Sequence, residues 1–221
     1  MGFIQAYPQY QLGGEMLYCC QFASHLWTPK HERLLSKPEY RGLRSAVNSR
    51  KAEFVAGRMA AQCALSSIGI DDHVVAIGQH RAPVWPKGVC GSIAHTQRLA
   101  VSVARFDAEH QGLGVDVESM IDSKTASAIK TLLASDEEYA LYHRQLGSAA
   151  QFITLLFSAK ESVFKAVYPQ VHCYLEFHHA KVLSVTDNQL RVRVECSQLS
   201  IELDVYYQWL NTTLLTLAKW G

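Results

Sequence analysis

The chain has 221 residues, 48% of them hydrophobic and 19% charged, with a formal net charge of +1. This length and apolar share support one large domain or two small halves with a real core. The near-neutral balance excludes a global field for nucleic acid or a membrane surface, so any polyanion site must be a local cluster of cations.

Cys19, Cys20, Cys63, Cys90, Cys173 and Cys196 form no C-x-x-C pair, and adjacent cysteines make a poor disulfide framework, so reduced thiols and a cytoplasmic location are expected. The opening MGFIQAYPQYQLGG has neither a basic stretch nor a long apolar one, which argues against a signal peptide. No run approaches the roughly 18 apolar residues of a membrane span.

In chain order, LYCCQFA (Leu17 to Ala23) reads as a strand, and Pro29, Pro38 and Gly42 punctuate a polar, basic segment after it. A helix is expected over 49–67, where Ala52, Val55, Ala56, Met59, Ala60 and Cys63 recur at three- and four-residue steps before Gly69. RAPVWPKG (Arg81 to Gly88) is a proline-punctuated loop. Leu99 to Phe106 and Gly112 to Glu118 are strands, and the polar DAEHQ between them is either a hairpin or a join between halves. Ser135 and Glu138 form a capping box that opens a helix to about Leu146. A second helix runs from about Ala150 to Val167 and stops before Pro169. The remainder alternates as strands: Leu190, Val192 and Val194 face one way and Arg191, Arg193 and Glu195 the other, and 201–207 with 212–217 form a closing hairpin. FVAGRMAA (Phe54 to Ala61) is faintly echoed by FSAKESVF (Phe157 to Phe164), as if a half were repeated around residue 110.

Three clusters carry chemistry. In GVDVES (Gly114 to Ser119), Val115 and Val117 face a core, while Asp116 and Glu118 project together from the other face, roughly 6.6 Å apart along the strand. Two hard oxygen donors on a rigid strand suit Mg²⁺; an ordinary strand with solvated acids reads the same way. Gly112 and Gly114 allow a backbone or a ligand to come close. In FSAKESVFK (Phe157 to Lys165), Thr154, Ser158, Glu161 and Lys165 form one polar stripe, and Phe152, Leu156, Ala159 and Val163 an apolar one. The stripe offers a third acid for a metal or a proton and an amine for phosphate, with Lys160 alongside. A plain i,i+4 ion pair, worth about 0.2–0.5 kcal/mol, is the simpler reading. Arg50 and Arg58 lie about two turns apart on the first long helix; Arg81 opens the proline-rich loop and His95 sits in GSIAHT.

Taken together, these segments resemble the 4′-phosphopantetheinyl transferases of the Sfp type, in their enterobactin-synthase branch. Four motifs stand in the family's order: R-x7-R containing AGR (Arg50 to Arg58), R-x-P-x-W-P followed by GSIAH (Arg81 to His95), GVDVE (Gly114 to Glu118) and FSAKES-x-x-K (Phe157 to Lys165). The resemblance implies an α+β fold of two similar halves related by a pseudo-twofold axis, each a mainly antiparallel sheet packed on a long helix, with the active site in the cleft between them. Residues 1–110 would form the half that meets the adenosine and 3′-phosphate of coenzyme A, and 111–221 the Mg²⁺ and catalytic half. It further implies that Asp116, Glu118 and Glu161 hold Mg²⁺ on the pyrophosphate. Arg81, Lys160 and Lys165 would meet phosphates, and Arg50, Arg58 and His95 the 3′-phosphate and adenosine end. Ala94 departs from the pattern, because the family places Ser or Thr before the histidine; one hydroxyl to a phosphate is missing, and Ser92 or a backbone N–H is a candidate to fill its place. The implied reaction transfers 4′-phosphopantetheine to a serine of an apo acyl or peptidyl carrier protein, with Glu161 as proton acceptor, Lys165 as charge stabiliser and Asp116 as an essential ligand. A single chain, acting as a monomer, is expected to suffice. The competing readings are a Mg²⁺-dependent phosphohydrolase, with water as acceptor, and a carrier-binding module with a degenerate site.

Overall fold

A computed structural model describes residues 2–35, 38–43, 45–107, 112–142, 147–171, 175–197 and 199–220. It divides into two compact units: Met1–Gln11 with Glu15–Ala108, and Leu12–Gly14 with Glu109–Gly221. The fold class is α+β, with antiparallel strands in each unit.

The first unit contains β1 (Ile4–Ala6), β2 (Gln9–Leu12), β3 (Glu15–Phe22), α1 (Asn48–Ser67), β4 (Ala76–Ile77), β5 (Pro83–Val84), β6 (Val89–His95) and β7 (Leu99–Phe106). Its main sheet has the order β1-β3-β7-β6, with β2 also paired to β3. The small residues Ala52, Ala56, Ala60, Ala61 and Ala64 are buried along α1. They let the helix lie close on the sheet, and a Cβ on Gly57 would stand 3.2 Å from Ile93. Ser24–Leu26, Pro29–Leu35 and Pro38–Leu43 form 3₁₀ turns, the second fastened to α1 by Lys51 donating to Glu32 at 2.7 Å.

The second unit contains β8 (Gly112–Ser119), α2 (Ser123–Leu133), α3 (Asp136–Tyr142), α4 (Ala149–Val171), β9 (Ala180–Val185), β10 (Gln189–Cys196), β11 (Leu199–Leu210) and β12 (Thr213–Trp220). The sheet order is β8-β12-β11-β10-β9. On α4, Phe152, Leu156, Ala159 and Val163 pack with Leu190, Val192, Val194 and Leu203, so the expected apolar stripes of helix and strand meet in one core. Each large apolar side chain so buried stabilises the unit by about 1.5–3 kcal/mol.

Several expectations shift in detail. β7 and β8 lie in different sheets; of the polar stretch between them, 108–111 fall outside the described residues. The capping box is formed: Glu138 N donates to Ser135 Oγ at 3.2 Å, and Ser135 N donates to Glu138 Oε2 at 3.0 Å. The expected extension of α3 to Leu146 falls outside the described residues, as does Cys173. The other cysteines are free thiols. α4 does not stop before Pro169 but carries it in its last turn; a proline there removes one N–H without interrupting the buried part of the helix. α2 was not expected, although Ala126, Ile129 and Leu133 recur at helical steps in SKTASAIKTLL and pack in one cluster. Its other signal is Asp122, an N-cap whose carboxylate accepts from Lys124 N and Thr125 N at 3.0 Å. Among the described residues no helix is long and apolar enough to cross a membrane.

The tightest packing joins β8 to α4. A Cβ on Gly114 would overlap the Ser162 carbonyl, and one on Gly112 would overlap that of Ala166. The backbone for which these glycines leave room is therefore that of α4. Gly114→Ala should destabilise the protein by about 3 kcal/mol, the upper range for overpacking, whereas Gly42→Ala, with open space around it, should be nearly neutral; urea melts of the two variants check this.

Candidate active site

In the second unit, the glycine contact sets the polar stripe of α4 directly over β8. Asp116 is 4% exposed beneath the helix. Its Oδ1 accepts from Lys165 Nζ at 2.6 Å and its Oδ2 from Ser158 Oγ at 2.8 Å. Ser158 also meets Thr216 Oγ1 at 2.9 Å, and Thr216 pairs with Asp116 across β12 and β8. Lys165 further donates to the Val115 carbonyl at 3.2 Å. Thr154 Oγ1 accepts from Ile121 N at 3.0 Å, tying the chain after β8 to the helix. The glycines and acids thus share the helix-facing side of β8, while Val115 and Val117 are buried on the other. The acids lie under α4, and Asp116 is not on an open surface.

Glu118 and Glu161 complete the cluster. Burial pushes the Glu118 carboxyl up to about 7, with Asp116 and Glu161 adding repulsion and Lys165 opposing it. Burial also raises Glu161, with Lys165 pulling it back and Asp116 pushing further. The three carboxylates therefore feel one another across β8 and α4. Among the described residues they do not converge into a ready three-donor metal cage; the cation standing against Asp116 is the Lys165 ammonium. The donor chemistry nonetheless fits Mg²⁺, which takes one or two carboxylates and fills its shell with water and phosphate oxygens.

Lys160 departs from the expected set of phosphate cations. Its ammonium is buried and donates to Leu133 O at 2.7 Å, Phe177 O at 3.1 Å and Glu138 Oε1 at 2.9 Å. Those three acceptors use its three protons. Burial lowers its pKa, and Glu138 opposes that shift.

In the first unit, Arg50, Arg58, Arg81 and His95 line one cavity of about 580 Å³, together with Glu53, Phe54 and Ile93. Arg50 Nη1 lies 2.8 Å from His95 Nε2 and 3.4 Å from Glu53 Oε2. Arg58 is more embedded. Its Nε donates to Val75 O at 2.7 Å, its Nη2 to Ala76 O at 3.3 Å, and its guanidinium stacks on Phe54 at 4.3 Å. Burial lowers its pKa to about 10, with Tyr40 raising it and Arg50 lowering it further. Arg81 sits in left-handed backbone, φ 66°, directly after His80 at φ 50°, a conformation that costs a non-glycine residue about 1–3 kcal/mol. Ala94 is 5% exposed; as His95's neighbour in β6 it points to the opposite face, away from the cavity. Ser92, two residues before it, shares that buried face, and its carbonyl accepts from Ser102 Oγ. Sequence reading singled out Glu138 only as a helix cap, and did not single out Glu53 or Thr216. Glu53 lies within the R-x7-R motif, and Thr216 is a polar residue inside LLTLAK, which is the available signal for it.

Residues 39–105 match the model of the 4′-phosphopantetheinyl transferase N-terminal domain, and residues 112–216 match that of the 4′-phosphopantetheinyl transferase superfamily. Similar proteins include enterobactin synthase component D of Escherichia coli O157:H7, 39% identical over 84% of this chain and 85% of that protein. The same component from Salmonella typhimurium is 36% identical over 76% of this chain and 66% of that protein. The 4′-phosphopantetheinyl transferase Svp of Streptomyces mobaraensis is 33% identical over 67% of this chain and 61% of that protein. The chain belongs to the 4′-phosphopantetheinyl transferase superfamily.

The crowding of acids has a direct test. The Glu118 carboxyl sits near 7 in the fold against an ordinary 4.5, so the folded protein holds a proton that the unfolded chain has released. Its ionisation costs stability progressively from about pH 4.5 to 7, and the full cost is present above that window. Glu118→Gln should therefore melt higher than the parent at pH 8 without divalent ions, and the difference should vanish near pH 4.5. Thermal melts across pH check both ends.

Proposed function

We propose that the chain transfers 4′-phosphopantetheine from coenzyme A to a serine hydroxyl of an apo acyl or peptidyl carrier protein, releasing adenosine 3′,5′-bisphosphate. The observation that carries this reading is the β8–α4 edge, where Asp116, Glu118 and Glu161 crowd around Lys165. Asp116, Glu118 and Glu161 are the residues that would hold Mg²⁺, which when bound neutralises pyrophosphate charge. Glu161, its carboxyl raised by burial, is suited to accept the serine proton as the serine oxygen bonds to phosphorus. Lys165 would offset charge on the oxygen that leaves. Ser158 and Thr216 fix Asp116 in one orientation, as a site held by packed supports requires.

The cavity in the first unit suits the other end of the same substrate. Coenzyme A is a multiply charged anion, and arginine forks are the groups that best recognise phosphate. Arg50, Arg58 and His95 would take the 3′-phosphate and Arg81 a further phosphate. The name of the Escherichia and Salmonella relatives, a component of enterobactin synthase, favours a siderophore-synthase carrier as acceptor. One chain carries both sets of groups, so a monomer is sufficient.

The test is mass spectrometry of an apo carrier domain from an enterobactin synthase, incubated with the protein, coenzyme A and Mg²⁺. One phosphopantetheine should be added to it. Consumption of coenzyme A without modified carrier would show a hydrolase instead. Asp116→Ala should abolish the modification. Arg50→Ala should raise the KM for coenzyme A about tenfold while kcat stays near normal, since the 3′-phosphate is a part of the substrate remote from the reacting bond. With dephospho-coenzyme A the effect of Arg50→Ala should largely disappear, and an equal effect on both substrates would remove Arg50 from the 3′-phosphate. Arg58→Ala should also lower the melting temperature, because it frees the Val75 and Ala76 carbonyls.

A further inference from the structure

The ammonium of Lys160 and the carboxylate of Glu138 are 2% and 4% exposed and lie 2.9 Å apart. Every polar atom of the pair is used inside the protein. Beyond Lys160, Glu138 Oε1 accepts from Val182 N at 2.8 Å and Oε2 from Ser135 N at 3.0 Å. The two side chains thereby connect five pieces of chain: α4, the C-terminal end of α2 at Leu133, the start of α3, the turn at Phe177 and the edge strand β9. Lys160 is also the residue immediately before Glu161, one step around the helix. A buried ion pair is a poor source of net stability, because apolar side chains of the same volume do as well or better. What such a pair supplies is geometry, since only one arrangement satisfies all of its hydrogen bonds.

We propose that Lys160 is a positioning residue and not a phosphate ligand: paired with Glu138, it locks the α2–α3 corner and the Phe177 turn against the middle of α4, where Glu161 stands. The proposal deepens the transferase reading and rests on it only for the activity measurements below. It accounts for a lysine inside the family motif that has no proton left for an anion. It also makes Glu138, which lies outside the motif, a partner in the same task. Loss of either member releases the same corner, so the two variants should behave alike, although only one of them removes a cation.

The experiment is a double-mutant cycle of Lys160→Met, Glu138→Gln and the double variant, read by thermal melting, by calorimetric titration with coenzyme A and Mg²⁺, and by transfer kinetics. Each single variant should melt below the parent, and the double should melt no lower than Lys160→Met alone, because the neutral glutamine no longer leaves a buried charge unpaired. Both single variants should keep coenzyme A affinity within about threefold of the parent while kcat falls about tenfold. Amide exchange should speed up over 131–139 and 175–182 in both. The proposal is overturned if Lys160→Met weakens coenzyme A binding tenfold or more while Glu138→Gln leaves it unchanged, or if the melting losses simply add. Should Lys160→Met fail to fold alone, Glu138→Gln and the double variant still decide between the two outcomes. If the parent modifies no carrier, the transferase reading falls, and the melting cycle still tests the clamp.

Discussion

The contact on which the site depends is made by two residues with no side chains. Gly112 and Gly114 let the backbone of α4 rest against β8, and that distance decides everything polar above it. At this separation Ser158 and Lys165 reach Asp116 directly, and Glu161 lies close enough for Glu118 to feel its charge. With a side chain in the gap, the helix would stand off and the acids would become separately solvated. Packing and electrostatics are thus one constraint, since the close approach excludes water and the exclusion of water makes the charges interact.

The two ammonium groups of the α4 motif show how burial sorts residues of the same type. Lys165 stands at the rim of its acids, with one carboxylate and one carbonyl as partners. Lys160, five residues earlier, is enclosed by two carbonyls and Glu138. Sequence proximity to Glu161 suggests the same task for both. The helix rotates them to different surroundings, and the surroundings decide what each ammonium can do.

Much of this was legible in the sequence where a periodic pattern and a packing demand coincide. The stripes of α4, the alternation in β10 and the capping box of Ser135 and Glu138 each follow from local rules, and each is present. The limits are equally physical. α2 carries its apolar face on only three residues, Ala126, Ile129 and Leu133, a signal as slight as its Asp122 cap. Lys160 could not be separated from Lys165 by spacing, because its partners come from residues 27, 22 and 17 positions away in the chain. Ala94 sits beside His95 in sequence, but strand alternation places their side chains on opposite faces. Thr216 meets Asp116 only through the pairing of β12 with β8, a register that nothing in either strand specifies alone.

The left-handed pair His80–Arg81 bears on the anion-binding role proposed for the arginine cavity. A side chain carried on a loose turn must have its backbone as well as its rotamers immobilised when an anion arrives. Here the turn from Gly78 to Ala82 is closed by its own hydrogen bonds, and the backbone direction at Arg81 is set before any ligand is present. Part of the ordering cost of recognition has been moved from the binding event to the folding event. Such a cavity trades a little stability of the empty protein for a firmer grip, and its rim should tolerate substitution of side chains better than any change that lets the turn relax.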